Sequence, residues 1–349
     1  MKKILLSLVG IAVIAVSIFA FILTRDGELK TPTGNGTIDL AMGTFEAFPL
    51  PDYAAEFIDE DYKSYLVEVE PGIKIHVLEV GSGYPVYMQH GAPTSGFLYR
   101  KVANELPRDQ FRIIMPTMVG LGFSSKVPAS QHTLDNHTRW MNEALNQLAL
   151  DELIYMGHDW GGPVGMGALV RSPELLKGAV ILNTVFTVPT EKGTLPTPLK
   201  VIKTPVIGEF LLEGLTSSFN QMPGVQVDSD SISADVLELY ERPVRDSGNT
   251  KGPLAILRMA ADGPDHPTAT QLKGIVDYIQ SLEVPTAIVW GMNDPILGTR
   301  LPEMINHFPE ADVTETGAGH FLQEEGDGPE AIADAIQRVH GQIQNDKDN

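Results

Sequence analysis

Short apolar runs alternate with amphipathic stretches along most of the chain. Residues 64–70 and 74–80 alternate apolar and polar positions on either side of Pro71 and Gly72, which predicts a pair of adjacent strands. Five further short apolar runs predict buried strands at 85–89, 112–115, 153–156, 179–182 and 286–290. Helical periodicity is found at 133–148, 163–171 and 330–339. This alternation predicts an α/β fold with a mostly parallel sheet and helices on both faces.

The first residues of the chain do not share this pattern. Lys2 and Lys3 precede an apolar run over residues 4–23, which is long enough as a helix (about 30 Å) to cross a bilayer. We predict that residues 1–23 are an uncleaved membrane anchor with its N-terminus in the cytoplasm, so that the rest of the chain lies outside the cytoplasmic membrane. A cleaved signal peptide is the alternative, and it would leave a secreted or periplasmic protein.

The remaining domain boundaries follow from changes in composition. Residues 24–47 are rich in turn formers and lack apolar periodicity, so we interpret them as a linker. Strand–helix alternation over residues 48–184 and 267–340 predicts one core in two parts. Residues 185–266 break the alternation with proline, glycine and short helical pieces, which predicts an inserted cap. Residues 341–349 are interpreted as a polar tail.

Composition narrows the classes of function. The formal net charge of −20 argues against a nucleic-acid partner, because phosphate binding requires a basic face. The absence of cysteine excludes disulfides, thiolate chemistry and cysteine-ligated metals. The nine histidines form no helical metal-binding pair, so we predict neither a metal site nor a cofactor.

The sharpest chemical signal is the run Gly157-His-Asp-Trp-Gly-Gly162, which directly follows the predicted strand 153–156. A glycine two positions before and another two positions after a central nucleophile, in a turn between strand and helix, is typical of a nucleophile elbow. Gly157 and Gly161 hold these positions. The central position holds Asp159, whose carboxylate can attack an sp3 carbon and form an alkyl-enzyme ester. The structural alternative is a glycine-rich turn in which Asp159 only caps the following helix.

Two further segments complete a candidate triad. Asp294 follows the predicted strand 286–290, and His320 follows it after a gap that fits one helix and one strand. The order nucleophile, acid, histidine is that of hydrolases with an elbow. His320 would act as the base on water, and Asp294 would orient its ring. The turn His90-Gly-Ala92-Pro93 would supply the N–H of Ala92 as an oxyanion donor, together with the N–H of Trp160.

These motifs resemble those of the α/β-hydrolase superfamily and, within it, the haloalkane dehalogenases, over residues 48–339. The supporting runs are Leu50-Pro-Asp-Tyr53, His90-Gly-Ala-Pro-Thr-Ser95, Phe97-Leu-Tyr-Arg100, Gly120-Leu-Gly-Phe-Ser124, Asp159-Trp-Gly-Gly-Pro163, Gly291-Met-Asn-Asp-Pro-Ile-Leu-Gly298 and Gly319-His-Phe-Leu-Gln-Glu324. The resemblance implies an α/β-hydrolase fold with a helical cap. It also implies that the indole N–H of Trp160 binds the departing halide.

The sequence departs from this family at the second halide donor. Such dehalogenases carry either an asparagine after the His-Gly turn or a tryptophan in the cap. Here position 92 is alanine, and the three tryptophans (Trp140, Trp160 and Trp290) all lie outside the predicted cap. Asn220 or Gln221 could substitute as donors. The candidate cap contacts are Phe186, Asn220 and Tyr240.

The sequence therefore predicts hydrolytic dehalogenation of a small apolar haloalkane, with water as the second substrate. An epoxide hydrolase is the first alternative, because these enzymes share the aspartate elbow. They use two cap tyrosines to protonate the epoxide oxygen, and here only Tyr240 lies in the predicted cap, while Tyr278 falls outside it. A membrane-tethered binding protein without activity is the second alternative, and the complete triad argues against it.

Overall fold

The computed structural model describes residues 17, 20, 21, 23–215 and 217–348. Its strands are β1 (Thr37–Leu40), β2 (Gly43–Ala47), β3 (Lys63–Glu70), β4 (Ile73–Gly81), β5 (Tyr84–Gln89), β6 (Phe111–Pro116), β7 (Leu153–Gly157), β8 (Leu176–Ile181), β9 (Thr286–Gly291) and β10 (Asp312–Thr316). Its α-helices are α1 (Asp52–Ala55), α2 (Arg100–Glu105), α3 (Leu134–Gln147), α4 (Gly161–Leu169), α5 (Thr197–Lys203), α6 (Ile207–Glu209), α7 (Ala234–Asp246), α8 (Gly252–Leu257), α9 (Pro267–Ile279), α10 (Leu301–His307) and α11 (Gly328–Asp348).

All ten strands form one sheet in the order β1-β2-β3-β4-β6-β5-β7-β8-β9-β10. The pairs from β6 to β10 are parallel, whereas β1 to β4 and the β4–β6 pair are antiparallel. This arrangement confirms the predicted fold class. The parallel strands β5 and β7 are almost continuous apolar runs because helices cover both of their faces.

Two apolar cores lie on opposite faces of the sheet. One contains side chains of α3, α4 and α9, such as Trp140, Met166 and Ile275. The other contains side chains of α2 and α11, such as Val102 and Ile336, and also receives Val236 from the cap helix α7. The cap helix α7 therefore shares an apolar core with the sheet and its covering helices.

The predicted linker over residues 24–47 is wrong in two places. Residues 37–47 form β1 and β2, which extend the sheet beyond β3. Residues 23–30 are bonded to the folded domain: Asp26 accepts hydrogen bonds from the N–H groups of Ala129 (2.6 Å) and Ser130 (2.7 Å), and Lys30 pairs with Lys126. The turn-rich composition hid both features, since short edge strands carry little apolar periodicity.

The predicted polar tail is also helical. Helix α11 continues to Asp348, because Ile343 is buried near Gly178 of β8 and extends the apolar face of the helix. Strand β10 occupies the gap between Asp294 and His320, as the spacing predicts. The predicted anchor at residues 4–23 lies mostly outside the described residues. Within the described part of the chain, no helix combines the length and apolar character needed to cross a membrane.

Candidate active site

The turn between β7 and α4 holds Asp159 in the left-handed region at φ 51°. Aspartate tolerates this conformation better than most residues, and strain of this kind is typical of functional turns. Close packing around the turn requires glycine: a Cβ at Gly161 would overlap the carbonyl oxygen of Gln89, and one at Gly91 would overlap the Asp159 carboxylate. The side chain of Asp159 is 18% exposed, so it remains accessible at the end of the strand.

The three predicted triad residues lie together. The distance from His320 Nδ1 to Asp294 Oδ2 is 2.8 Å, and that from His320 Nε2 to Asp159 Oδ2 is 3.8 Å. The side chains of His320 and Asp294 are almost fully buried. With Nδ1–H donating to Asp294, the lone pair of Nε2 faces the Asp159 carboxylate, which is the arrangement that a general base requires.

Electrostatics separates the roles of the two carboxylates. Burial raises the pKa of Asp159 above its ordinary value, against the charge of His320 and the backbone N–H groups of Trp160 and Ala92. Burial also acts on Asp294, but hydrogen bonds from His320 and from backbone N–H groups lower its pKa overall. For His320, burial lowers the pKa, and the hydrogen bond and charge of Asp294 outweigh it, so the pKa is raised. Asp294 therefore stays ionised beside the histidine.

The predicted oxyanion turn contacts the candidate nucleophile directly. The backbone N–H of Ala92 donates to Asp159 Oδ1 at 3.0 Å. His90 Nδ1 contacts the carbonyl oxygen of Gly91 (2.7 Å) and His90 Nε2 accepts from the N–H of Met118 (2.9 Å), so His90 shapes the turn. Two backbone donors, from Ala92 and Trp160, are thus available to an oxygen of the Asp159 carboxylate.

Trp160, which directly follows Asp159 in the chain, differs from the other two tryptophans in its surroundings. Trp160 is half-buried, and its indole N–H donates to no described residue. The indole N–H of Trp290 donates to the carbonyl oxygen of Gly298 (3.0 Å), and Trp140 is buried in the core. Ala92 contributes no side-chain donor.

The structure shows where the three candidate cap contacts lie. Tyr240 is fully buried, and its hydroxyl donates to Glu324 (2.7 Å) within an ion pair between Arg100 and Glu324. Phe186 packs against Phe308 in the core rather than in the cap. Asn220 is exposed on a short 3-10 helix, as is Gln221, so neither is a buried donor beside Asp159. The sequence could place these residues in the segment but not orient their side chains.

Two buried side chains support the triad without carrying out chemistry. Asn183 Nδ2 donates to Asp294 Oδ2 (2.9 Å) and to the carbonyl oxygen of Gly291 (3.0 Å), and its Oδ1 accepts from the N–H of Gly291. His158 Nε2 lies 2.8 Å from the carbonyl oxygen of His320, and burial lowers the pKa of His158 well below its ordinary value. A neutral His158 therefore donates to the histidine loop. His158 lies within the elbow motif, and Asn183 lies two residues after β8, so position near the end of a strand was the sequence signal for both.

The cap residue Gln226 escaped the sequence reasoning entirely. Its side-chain oxygen accepts from the N–H of Phe321 (2.8 Å), and its side-chain nitrogen donates to the carbonyl oxygen of the same residue (3.0 Å). The neighbouring carbonyl oxygen of Val225 accepts from the N–H of His320 (2.9 Å). Glu325 binds the N–H groups of both Gly319 and Asp228. We call this set (Val225, Gln226, Asp228 and Glu325) the loop clamp, because it joins the cap to the histidine loop.

A cavity of about 540 Å³ lies away from the triad, between the cap, the start of α3 and the N-terminal residues Thr24 and Arg25. None of the triad residues lines it. In the described part of the chain, no three histidine or acidic side chains are grouped to hold a metal ion.

The ordered sheet, the aspartate elbow and the histidine loop under a cap together define an α/β-hydrolase. The comparison with protein families agrees: a model of the α/β hydrolase fold matches residues 84–327, and the chain belongs to this family.

The curated relatives point to two chemistries. A cis-3-alkyl-4-alkyloxetan-2-one decarboxylase of Shewanella oneidensis is 33% identical over 264 residues, covering 73% of this chain and 81% of the relative. Haloalkane dehalogenase 2 of Mycobacterium bovis is 29% identical and covers 75% of this chain and 90% of the relative. The predicted resemblance to haloalkane dehalogenases is thereby confirmed.

Solved structures support the fold. Haloalkane dehalogenase DatA from Agrobacterium tumefaciens superposes with a TM-score of 0.68 at 22% identity, covering 82% of this chain and 99% of that chain. An epoxide hydrolase, CorEH, gives a TM-score of 0.66 at 20% identity, covering 81% of this chain and 99% of that chain. At these identities the likeness concerns the fold alone.

Proposed function

We propose that the protein is a hydrolytic haloalkane dehalogenase that uses Asp159 as its nucleophile. One observation carries the proposal: a carboxylate at an elbow, bonded to the N–H of Ala92, lies 3.8 Å from a histidine that is bonded to a second carboxylate. A catalytically inactive binding protein would have no need to keep this arrangement. The enzyme is further proposed to be held in the membrane by residues 4–23, with its hydrolase domain outside the cytoplasm.

The reaction proceeds in two steps. An oxygen of Asp159 attacks the carbon that bears the halogen, the carbon–halogen bond breaks, and the halide leaves toward the indole N–H of Trp160. His320 Nε2 then takes a proton from water, and the resulting hydroxide attacks the carbonyl carbon of the Asp159 ester. The N–H groups of Ala92 and Trp160 stabilise the oxyanion before the alcohol departs. Water supplies one oxygen, and the products are an alcohol, a halide and a proton.

The trapping variant His320→Phe tests this mechanism. Without its base, the enzyme should form the ester and fail to hydrolyse it. Intact mass after incubation with a bromoalkane should therefore rise by one alkyl group. The double variant His320→Phe with Asp159→Asn is the matched control and should gain no mass. If wild type releases bromide while His320→Phe never gains mass, the covalent mechanism is wrong.

A second candidate is the opening of a four-membered lactone, which two observations favour. Ala92 leaves a departing halide with only one side-chain donor, and the relative that is 33% identical is an oxetanone decarboxylase. Asp159 would attack C4, the sp3 ring carbon that is bonded to the ring oxygen. The bond between C4 and the ring oxygen breaks, and the lactone carbonyl becomes a carboxylate. Loss of CO2 would then form the alkene while the bond to Asp159 breaks and its electrons return to the carboxylate. This sequence requires no water, and no free halide has to be bound.

The two candidates differ in their products. Wild type is incubated in parallel with a bromoalkane and with a dialkyl oxetan-2-one, and bromide, CO2 and alkene are measured. Bromide release without alkene supports the dehalogenase, and the reverse supports lactone cleavage. Epoxide hydrolysis is disfavoured, because the Tyr240 hydroxyl is bonded to Glu324 and Tyr278 lies on α9, which packs against the core helices α3 and α4. Diol formation from an epoxide would overturn that ranking.

A further inference from the structure

Residues 23–30 fix where an anchor would meet the folded domain. Lys251 Nζ donates to the carbonyl oxygen of Leu23 (2.5 Å), and Asn249 Nδ2 donates to that of Glu28 (2.7 Å). Asp26 is bonded to Ala129 and Ser130 of the core. We call residues 23–30 the strap. Since the strap contacts both cap and core, the end of the apolar segment has a defined position on the domain surface.

The nearby cap segment exposes large apolar side chains. Four large apolar side chains in the ten-residue stretch 201–210 are 37–47% exposed: Val201, Val206, Ile207 and Phe210. This stretch covers the end of α5, all of α6 and the first residue of the following π-helix. We call these four residues the cap patch. Val206 has a φ of 69°, a conformation that β-branched residues rarely adopt. A concentration of exposed large apolar side chains in one short segment makes that segment a candidate interaction surface.

The cap patch lies close to the end of the apolar segment. Glu213, three residues after Phe210, forms an ion pair with Lys251 (2.6 Å), and Lys251 in turn binds Leu23. The cavity of about 540 Å³ has Thr24 and Arg25 on one side and Glu209 and Glu213 on another. The strap and the segment that carries the cap patch therefore share one region of the surface.

Charge around the cap patch also differs from that of the chain. Residues 197–210, which span the cap patch, carry Lys200, Lys203 and one acidic residue, Glu209, in a protein with a formal net charge of −20. Glu209 is buried in an ion pair with Arg258, so the lysines are the solvent-accessible charges of this segment. Exposed apolar side chains with lysines beside them are typical of segments that lie in a membrane interface, where lysine is attracted to anionic lipid headgroups. Binding of a soluble protein partner would not explain why the cap patch lies next to the proposed anchor.

We propose that the cap patch docks on the lipid bilayer into which residues 4–23 insert, so that the hydrolase domain lies on the membrane with its cap toward the lipid. This inference rests on the proposed membrane anchor and not on the reaction catalysed. The cap is then in contact with the phase in which apolar substrates accumulate.

Single-cysteine labelling of the full chain tests the docking, because the protein has no native cysteine. Ile207→Cys and Phe210→Cys are labelled with an environment-sensitive fluorophore, and Phe21→Cys reports the anchor. Val227→Cys and Val170→Cys are matched controls, since both native valines are exposed but lie outside the cap patch. Each protein is reconstituted into phosphatidylcholine vesicles containing phosphatidylglycerol, with and without lipids that carry a nitroxide quencher.

The proposal expects blue-shifted emission and strong nitroxide quenching at positions 207 and 210. A helix in the interface buries its apolar face by about 5–10 Å, within reach of a shallow quencher. Positions 227 and 170 should keep the emission of a probe in water. Lys200→Glu in the Ile207→Cys protein should reduce the quenching in anionic vesicles, and an unchanged signal would contradict the electrostatic part of the proposal.

Two outcomes overturn the docking in distinguishable ways. If Phe21→Cys is quenched while positions 207 and 210 match the controls, the anchor stands and the docking is wrong. If Phe21→Cys is not quenched either, both anchor and docking are wrong. Ester trapping at Asp159 is measured separately and is unaffected by either result.

Discussion

At residue 92 the chain has a methyl group where some dehalogenases of the resembling family have an asparagine, and for the proposed dehalogenase reaction this leaves one side-chain donor fewer. Trp160 remains as the single indole donor beside Asp159. A hydrogen bond to a charged group contributes about 1.5–3 kcal/mol, so one missing donor weakens halide binding roughly ten- to more than a hundred-fold.

Two substitutions test this account of the halide site. Trp160→Phe should abolish halide quenching of tryptophan fluorescence and most dehalogenation, because it removes the remaining donor. Ala92→Asn should tighten halide binding by adding a donor at the turn. Fluorescence titration with bromide measures both. Full dehalogenation by Trp160→Phe would show that the halide is stabilised elsewhere.

The charge of His320 predicts the pH dependence. Ester hydrolysis needs neutral His320, and its pKa is raised above the ordinary value of about 6.5. As the pH falls through the His320 pKa of the ester intermediate, His320 is protonated and hydrolysis slows, so the rate of hydrolysis should show an acid limb. In Asp294→Asn the limb should move to lower pH and the maximal rate should fall. Hydrolysis of the preformed ester at different pH values, followed by rapid quenching and mass spectrometry, measures the position of the acid limb and the maximal rate. An acid limb at the same pH in Asp294→Asn as in wild type would contradict the role of Asp294.

At the scale of elements, the loop clamp connects a cap segment to His320, the proposed general base. Gln226→Ala removes two hydrogen bonds to Phe321 and should leave a partly buried backbone N–H unsatisfied, at a cost of about 1–3 kcal/mol. Hydrolysis of the ester should slow more than its formation, because His320 acts only in the second step. The ester should therefore accumulate during turnover.

The chain offers a matched control for this prediction. Gln221→Ala changes the same residue type in the same cap segment, but Gln221 is exposed and its side chain binds no described residue. It should behave as wild type in both steps. Equal effects of the two substitutions would mean that Gln226 stabilises the cap without positioning His320.

The elements also explain why the triad could be predicted from the sequence, whereas the contacts of the cap and the first hairpin could not. Asp159, Asp294 and His320 each follow a strand in a parallel sheet, so their convergence follows from local pattern and chain order. Gln226 and Tyr240 belong to an irregular cap, where the partner of a side chain depends on how the segment folds over the core. The hairpin β1–β2 was missed because its strands are only four and five residues long, too short for their alternation to stand out from the surrounding turn formers.

For the molecule as a whole, the proposed anchor predicts where the protein is found in cells. The full chain should fractionate with membranes and resist a carbonate wash, since an apolar helix of this length is effectively irreversibly inserted. Immunoblotting of washed membranes measures this. A soluble mature form beginning near Phe21 would instead identify residues 1–20 as a cleaved signal peptide.

The strap affects how freely the folded domain can rotate relative to the proposed membrane anchor. A domain joined to a membrane anchor by a flexible linker rotates freely, so each of its faces meets the lipid in turn. Here residues 23–30 are bonded to the core through Asp26 and to the cap through Glu28 and Leu23. Because those bonds begin where the apolar segment ends, insertion of the proposed anchor should restrict rotation of the domain, so that the same side of the cap would face the lipid throughout the proposed reaction.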